Sequence, residues 1–224
     1  MTPMSLEHLA IRTLKQAARF EPIRYALGIA GPPAAGKSTL ADALRDAINS
    51  IEGEGTAEVA PMDGFHRSNL QLAEAGWTAE KGQPHTFDVA AFIESLRAVR
   101  VPVGEGNIRW PQYDRALHEP VPDRITLDRC RVAIVEGNYL LLDGPGWSGV
   151  RDLLDETWYL AIKPGIAERR LYERHLRSGR SKAEARRKIA DSDYPNLRLI
   201  ETTRKSADLI LVEQDGEYFI EDPS

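Results

Sequence analysis

The chain is predicted to fold as an α/β protein, a three-layer sandwich in which a mainly parallel five-stranded sheet carries helices on both faces. Three observations predict it. Short apolar runs of strand length alternate with stretches of helical periodicity, the order that a parallel sheet with crossover helices needs. Three of those runs, at residues 25–30, 130–135 and 157–162, are largely apolar rather than alternating, which suits strands covered on both faces. The first run leads directly into Gly31-Pro-Pro-Ala-Ala-Gly36-Lys37-Ser38, a G-x-x-x-x-G-K-[ST] pattern that cradles phosphate between a strand and a helix.

Each element follows from its residues. Positions 5–19 read as an amphipathic helix, with Leu6, Leu9, Ala10, Leu14 and Ala17 near helical spacing. After the glycine loop, Leu40, Ala41, Leu44, Ala47 and Ile48 share one face of a helix over 37–48. A Gly/Glu turn at 51–55 separates it from a second strand over 56–62. A short helix over 67–75 and a Gly-, Lys- and Pro-containing loop come next. Asp88 is placed as the N-cap of a helix to about Val99. The Pro-rich stretch 101–123 holds Ile108-Arg-Trp-Pro-Gln-Tyr-Asp-Arg115, read as a hairpin or substrate loop. Strands at 130–135 and 157–162 follow, then helices over 165–177 and 182–191, a fifth strand at 207–212 and a candidate sixth at 217–220. There are no repeats and no low-complexity segments. The expectation is one domain, 1–224, with a lid at about 165–191.

Composition narrows the function. A net charge of −5 over 224 residues argues against general nucleic-acid binding. Residues 163–188 nevertheless hold ten Lys/Arg against three Glu, a local +7 suited to a compact polyanion. The single cysteine, Cys130, excludes an internal disulfide and reads as a packed core residue. No run of 18 apolar residues is present, and Glu7 and His8 interrupt the N-terminal apolar residues, so neither a membrane span nor a secretion signal is expected. The cytoplasm is the expected compartment, and a homodimer the candidate assembly.

The motifs carry the chemistry. Glycines let the loop curl so that backbone N–H groups of Gly31, Ala34, Ala35, Gly36, Lys37, Ser38 and Thr39 can face ATP phosphates, at a helix end that favours anions. Lys37 would reach the β/γ-phosphates and Ser38 would ligate Mg²⁺. Asp63, after the second strand, has the chemistry of a base for an acceptor hydroxyl. Glu136, after the third, stands where a carboxylate organises Mg²⁺. Arg170, Arg174 and Arg177 share one helix face, and arginine forks suit phosphate. Arg180 follows a Ser178-Gly179 break and could move with a lid. His66, Lys81, Tyr113, Arg115 and Asn138 are the candidate acceptor-binding residues, with His118 in the same irregular stretch. Ligands in such sheets bind beyond the carboxyl ends of the strands, and three strand ends here converge on candidate chemistry. The chain lacks an Asn-Lys-x-Asp guanine signature, which lowers the switch-GTPase reading.

The order of Gly31 to Ser38, Met62-Asp-Gly-Phe-His66, Lys81-Gly-Gln-Pro-His-Thr-Phe-Asp88, Tyr113-Asp-Arg115 and Val135-Glu-Gly-Asn-Tyr-Leu140 resembles the phosphoribulokinase, uridine kinase and bacterial pantothenate kinase superfamily. The nearest likeness is to a bacterial subgroup of nucleoside/nucleotide kinase-like, or fructose-transport-system kinase-like, proteins. It runs over about residues 26–211. The resemblance implies a P-loop NTPase core with a short Arg-rich helical lid, Asp63 as catalytic base, Ser38 with Glu136 at Mg²⁺, and lid arginines Arg170 and Arg174 on ATP. Two departures stand out. Uridine kinases place an Arg-Asp pair in the lid helix, where this chain has Arg174-His175, and their substrate loop differs from 81–88. The expected function is therefore an ATP-dependent small-molecule kinase acting on an alcohol hydroxyl of a sugar or polyol-like compound. The alternatives are a uridine/nucleoside or pantothenate kinase and, in another class, a nucleotide-dependent regulatory or assembly ATPase.

Overall fold

The computed structural model describes residues 2–214 and 216–221. In chain order its strands are β1 (Thr2–Met4), β2 (Tyr25–Ala30), β3 (Ala57–Pro61), β4 (Arg109–Asp114), β5 (Glu119–Thr126), β6 (Val132–Gly137), β7 (Glu156–Ala161), β8 (Leu209–Gln214) and β9 (Glu217–Ile220). Its helices are α1 (Leu6–Ala17), α2 (Lys37–Glu52), α3 (Asn69–Glu74), α4 (Val89–Val99), α5 (Pro164–Arg177), α6 (Lys182–Lys188) and α7 (Tyr194–Glu201). The main sheet runs β1-β9-β8-β7-β2-β6-β3, and β4 and β5 pair separately as a hairpin.

The five expected strands form the parallel centre, β8-β7-β2-β6-β3. The candidate sixth strand is present as β9, antiparallel to β8, and β1 adds an unanticipated seventh, antiparallel to β9. Side chains alternate between faces along each strand. In β2, Tyr25, Leu27 and Ile29 join the core under α1 and α2, with Leu40, Leu44, Trp158 and Leu160. Ala26 and Ala30 face the other core, with Phe92, Leu96, Trp110, Tyr139 and Trp147 around α4 and the hairpin. The central strands are thus buried on both sides, the physical reason for their unbroken apolar runs.

Polar fastenings hold the layers in register. The Arg24 guanidinium, fully buried before β2, donates to the carbonyls of Val99, Asp128 and Cys130 at 2.8–2.9 Å. Those acceptors are what makes a buried charge tolerable. Tyr25 Oη donates to Glu156 at 2.7 Å, and Arg12 pairs with the same carboxylate. Cys130 is buried, with its thiol on Leu127 O at 3.3 Å.

Several boundaries differ from the sequence reading. Helix α3 is shorter than 67–75 because Ser68 caps it in a reciprocal box with Gln71. Asp88 caps α4 as expected, accepting from Ala91 N at 3.1 Å. The helix expected over 182–191 ends at Lys188. It passes through a π-helical turn, Ile189–Asp193, into α7, which the sequence reading did not anticipate. Among the described residues no helix is long and apolar enough to cross a membrane.

Candidate active site

Strands β3, β6 and β2 are neighbours and end together. Ala30 lies beside Gly137, and Glu136 beside Pro61. The glycine loop, Glu136 and Asp63 therefore meet at one edge, as the strand-end argument requires. In the loop, Gly31 has φ +148°, and a Cβ there would stand 2.5 Å from Leu160 O, so no other residue fits without moving β7. Gly36 begins α2 with no side-chain cap, leaving the first helical N–H groups to the loop side.

Lys37 is buried, and its Nζ donates to Asn138 Oδ1 at 2.7 Å and Pro32 O at 3.1 Å. Ser38 Oγ donates to Glu136 Oε1 at 3.2 Å. Burial lowers the Lys37 pKa, Glu136 and Asp63 oppose that, and Arg174 adds to the lowering. Burial and then Asp63 push the Glu136 carboxyl up to about 7, against the pull of Lys37, Ser38 and Arg115. Lys37, Glu136, Asp63, Arg115 and Arg174 thus share one electrostatic field, though they lie far apart in sequence.

Asp63 sits in a short 3-10 turn, Met62–Phe65, that carries β3 onto the hairpin. Gly64 lets the turn press against β4, since a Cβ there would lie 2.1 Å from Pro111 O. Trp110 Nε1 donates to Pro61 O at 2.9 Å and fastens the hairpin to the same strand end. His66 Nδ1 donates to Asp63 O at 2.8 Å. Its ring lies 4.1 Å from Phe87 and 4.8 Å from Tyr113, centroid to centroid. Burial, with a smaller push from Lys81, lowers the His66 pKa against the opposing influence of Asp63. Tyr113 is raised by burial, then by Asp63 and Glu119.

The remaining expected site residues divide. Ala34 and Ala35 form the loop, and Thr39 lies exposed in the first turn of α2. Arg170 donates to Ala34 O at 3.3 Å and to Glu213 at 2.9 Å, so α5 rests on the loop backbone. Arg174 lies 3.8 Å from Asp193, and Arg177 is exposed. Arg115, in the hairpin turn, is felt at Glu136 and Tyr113. Asn138 is placed at Lys37. Lys81 donates to Asn69 Oδ1 and His118 O at 2.6 and 2.7 Å, and lies over the Tyr113 ring. It ties α3 to the hairpin turn. Sequence reasoning did not single out Tyr139, whose Oη donates to Gly82 O at 2.6 Å and anchors the 81–88 loop, or Asp193. Tyr139 lies in the Glu-Gly-Asn-Tyr motif, which marks the segment but not this contact, and no local motif marks Asp193.

No family model matches the chain. It is 34% identical over 195 residues to a candidate uridine kinase, C227.14, of Schizosaccharomyces pombe, covering 84% of this chain and 83% of that one. It is 31% identical over 210 residues to the pantothenate kinase of Latilactobacillus sakei, covering 84% and 67%. The solved structure of a candidate fructose transport system kinase from Silicibacter sp. TM1040 superposes with a TM-score of 0.83 at 35% identity, covering 92% and 98%. The chain belongs to the P-loop kinases of the uridine kinase and pantothenate kinase type. As a P-loop kinase it is an ATP-dependent phosphotransferase acting on a small-molecule substrate. An uncapped start to α2, the buried Lys37 ammonium and the arginines of α5 are features whose electrostatics favour a polyphosphate.

Proposed function

We propose that this kinase transfers the γ-phosphoryl group of ATP to an alcohol hydroxyl of a sugar or polyol-like compound. The observation that carries the reading is the meeting of Asp63, Glu136 and the glycine loop at the ends of three adjacent parallel strands. Loop amides and Lys37 hold the β- and γ-phosphates. Asp63 accepts or orients the hydroxyl proton. Arg170 and Arg174 close over the phosphates as part of a lid over about 165–191 of a single domain. Most of the acceleration in such a transfer comes from alignment and charge neutralisation.

The residues present fit Mg²⁺. Ser38 and Glu136 offer hard oxygen donors side by side, and Mg²⁺ in such enzymes needs few protein oxygens because phosphates and water supply the rest. Held by Ser38 and Glu136, it would supply positive charge to offset that of the phosphates.

On the acceptor side, the His66 ring contacts those of Phe87 and Tyr113 in tilted pairs, so this aromatic cluster packs on itself rather than standing open for a flat base. That favours a hydroxylated acceptor, as does the likeness to the Silicibacter protein. A nucleoside or pantothenate acceptor is the second reading, favoured by the names of the other two relatives. An ATPase without an acceptor would leave Asp63 no hydroxyl to serve. A coupled ADP-release screen over sugars, polyols, sugar phosphates, nucleosides and pantothenate tests the proposal. Turnover stimulated by sugars or polyols supports it. Stimulation by nucleosides or pantothenate alone replaces the acceptor, and acceptor-independent ADP release removes the kinase reading.

A further inference from the structure

We infer that His175 and Asp193 are a positioning pair that keeps Arg174 available for the γ-phosphate, so that the enzyme tells ATP from ADP. The inference rests on Arg174 facing the phosphates, as proposed above.

His175 follows Arg174 on α5, about 100° further round the helix, and points into the interior behind the arginine face. It is 5% exposed, and Asp193 8%. His175 Nε2 lies 2.6 Å from Asp193 Oδ2, and Nδ1 lies 3.4 Å from Arg180 Nη1. An arginine has only hydrogens to offer, so Nδ1 is the accepting nitrogen and Nε2 donates to Asp193. Arg180 Nη1 is steadied by Ser178 Oγ at 2.8 Å. Asp193 closes the π-helical turn between α6 and α7, a kind of turn common at functional sites.

The second oxygen, Asp193 Oδ1, is 3.8 Å from Arg174 Nη2, which is beyond hydrogen-bond length. The carboxylate is thus committed to the imidazole, and Arg174 is held nearby but not captured. Arg174 is also close enough to Lys37 to add to the lowering of its pKa, after burial and against Glu136 and Asp63. Asp193 in turn raises Tyr139, after burial and Asp63. The pair therefore borders the phosphate site without being part of the loop.

Remove the imidazole and a buried carboxylate loses its hydrogen-bond donor. An unpaired buried charge is costly, so Asp193 takes the nearest cation, and Arg174 is already adjacent. An arginine neutralised in this way no longer meets the γ-phosphate. ADP, whose last phosphate lies on the loop amides and Lys37, is unaffected.

The test is calorimetric titration of wild type and variants with Mg²⁺ and either ADP or a non-hydrolysable ATP analogue, with thermal melting as the check on folding. It needs no acceptor. His175→Phe should lose about tenfold or more in affinity for the ATP analogue, the worth of a charge-assisted contact, with ADP affinity unchanged. His175→Gln, which can donate to Asp193 and accept from Arg180, should keep the wild-type ratio. Adding Asp193→Asn to His175→Phe should restore it, because no carboxylate remains to capture Arg174. A ratio unchanged in His175→Phe, equal losses for both nucleotides, or a double variant that stays impaired overturns the inference. If His175→Phe does not fold, His175→Ser takes its place with the same outcomes. A wild type that binds neither nucleotide overturns the kinase reading and this inference together, whereas normal wild-type binding with an unaltered ratio in the variants overturns the inference alone.

Discussion

Replacing Gly64 by alanine tests how firmly the fold must hold Asp63. The φ of Gly64 lies outside the left-handed region, so the backbone itself admits alanine. The obstacle is contact. The new Cβ would stand 2.1 Å from Pro111 O, 2.5 Å from Pro111 C and 3.1 Å from Gln112 N, all backbone of β4. Clearing those atoms requires the hairpin or the Met62–Phe65 turn to move by about 1 Å. The hairpin is fastened by Trp110 to Pro61 O, and the Trp110 ring packs edge-on against Phe65 at 5.0 Å. The turn that carries Asp63 is the part that yields. Overpacking of this kind costs about 1–3 kcal/mol of stability. A misplacement of about 1 Å at a reacting group costs about 10²-fold in rate. The assay is acceptor-dependent ADP release at saturating ATP, read beside the melting temperature and ATP affinity. The expected result is a folded protein of lower melting temperature, near-normal ATP affinity and turnover down by about 10²-fold. Turnover within about threefold of wild type, with unchanged melting, would refute the claim that close packing on Pro111 aims Asp63.

Three further outcomes follow from the site. Lys37→Ala should cut phosphoryl transfer by about 10²-fold or more, since a preorganised charge is lost from the phosphates, and near-normal turnover would remove Lys37 from the chemistry. Glu136→Gln should raise the Mg²⁺ concentration needed for half-maximal rate by about tenfold, and an unchanged Mg²⁺ titration would take Glu136 out of the metal site. His66 has a lowered pKa in the fold, chiefly from burial. As pH falls through its ordinary 6.5, the unfolded chain takes up a proton that the folded chain resists. Its contribution to stability is therefore complete above that value and is lost progressively below it, until the lower folded pKa is passed. His66→Gln should lose less melting temperature than wild type between neutral pH and about 5.5, and parallel losses would contradict the assignment.

What was legible in the sequence was what local pattern encodes. The run Tyr25–Ala30 is bounded as read, because a strand buried on both faces leaves no polar residue inside it. Asp88 caps its helix where a short acceptor side chain must stand before an apolar periodicity. Strand β1 was not legible: Thr2–Met4 is too short for a pattern and exists through its pairing with β9, over two hundred residues away. Helix α7 has no counterpart in the sequence reading; its Pro195 occupies the first turn, where its absent N–H costs nothing. Motif and strand-end position singled out Lys37, Ser38, Asp63 and Glu136 as candidates, and the strand ends bring them together. Sequence could not reveal that Asn138 holds the Lys37 ammonium, that Lys81 ties the hairpin turn to α3, or that Asp193 answers His175 across 18 residues. Those relations depend on where separate elements come to rest.

The most direct test of the central claim follows the phosphoryl group itself. Wild type and Asp63→Asn are incubated with γ-labelled ATP, Mg²⁺ and a panel of sugars and polyols, and the labelled species are separated. The account predicts label on an organic phosphate ester with wild type. With Asp63→Asn, that transfer should fall by about 10²-fold or more while ATP affinity is kept, because the base acts on the acceptor and not on the nucleotide. Label found as inorganic phosphate alone with every acceptor, or Asp63→Asn transferring at the wild-type rate, would contradict it.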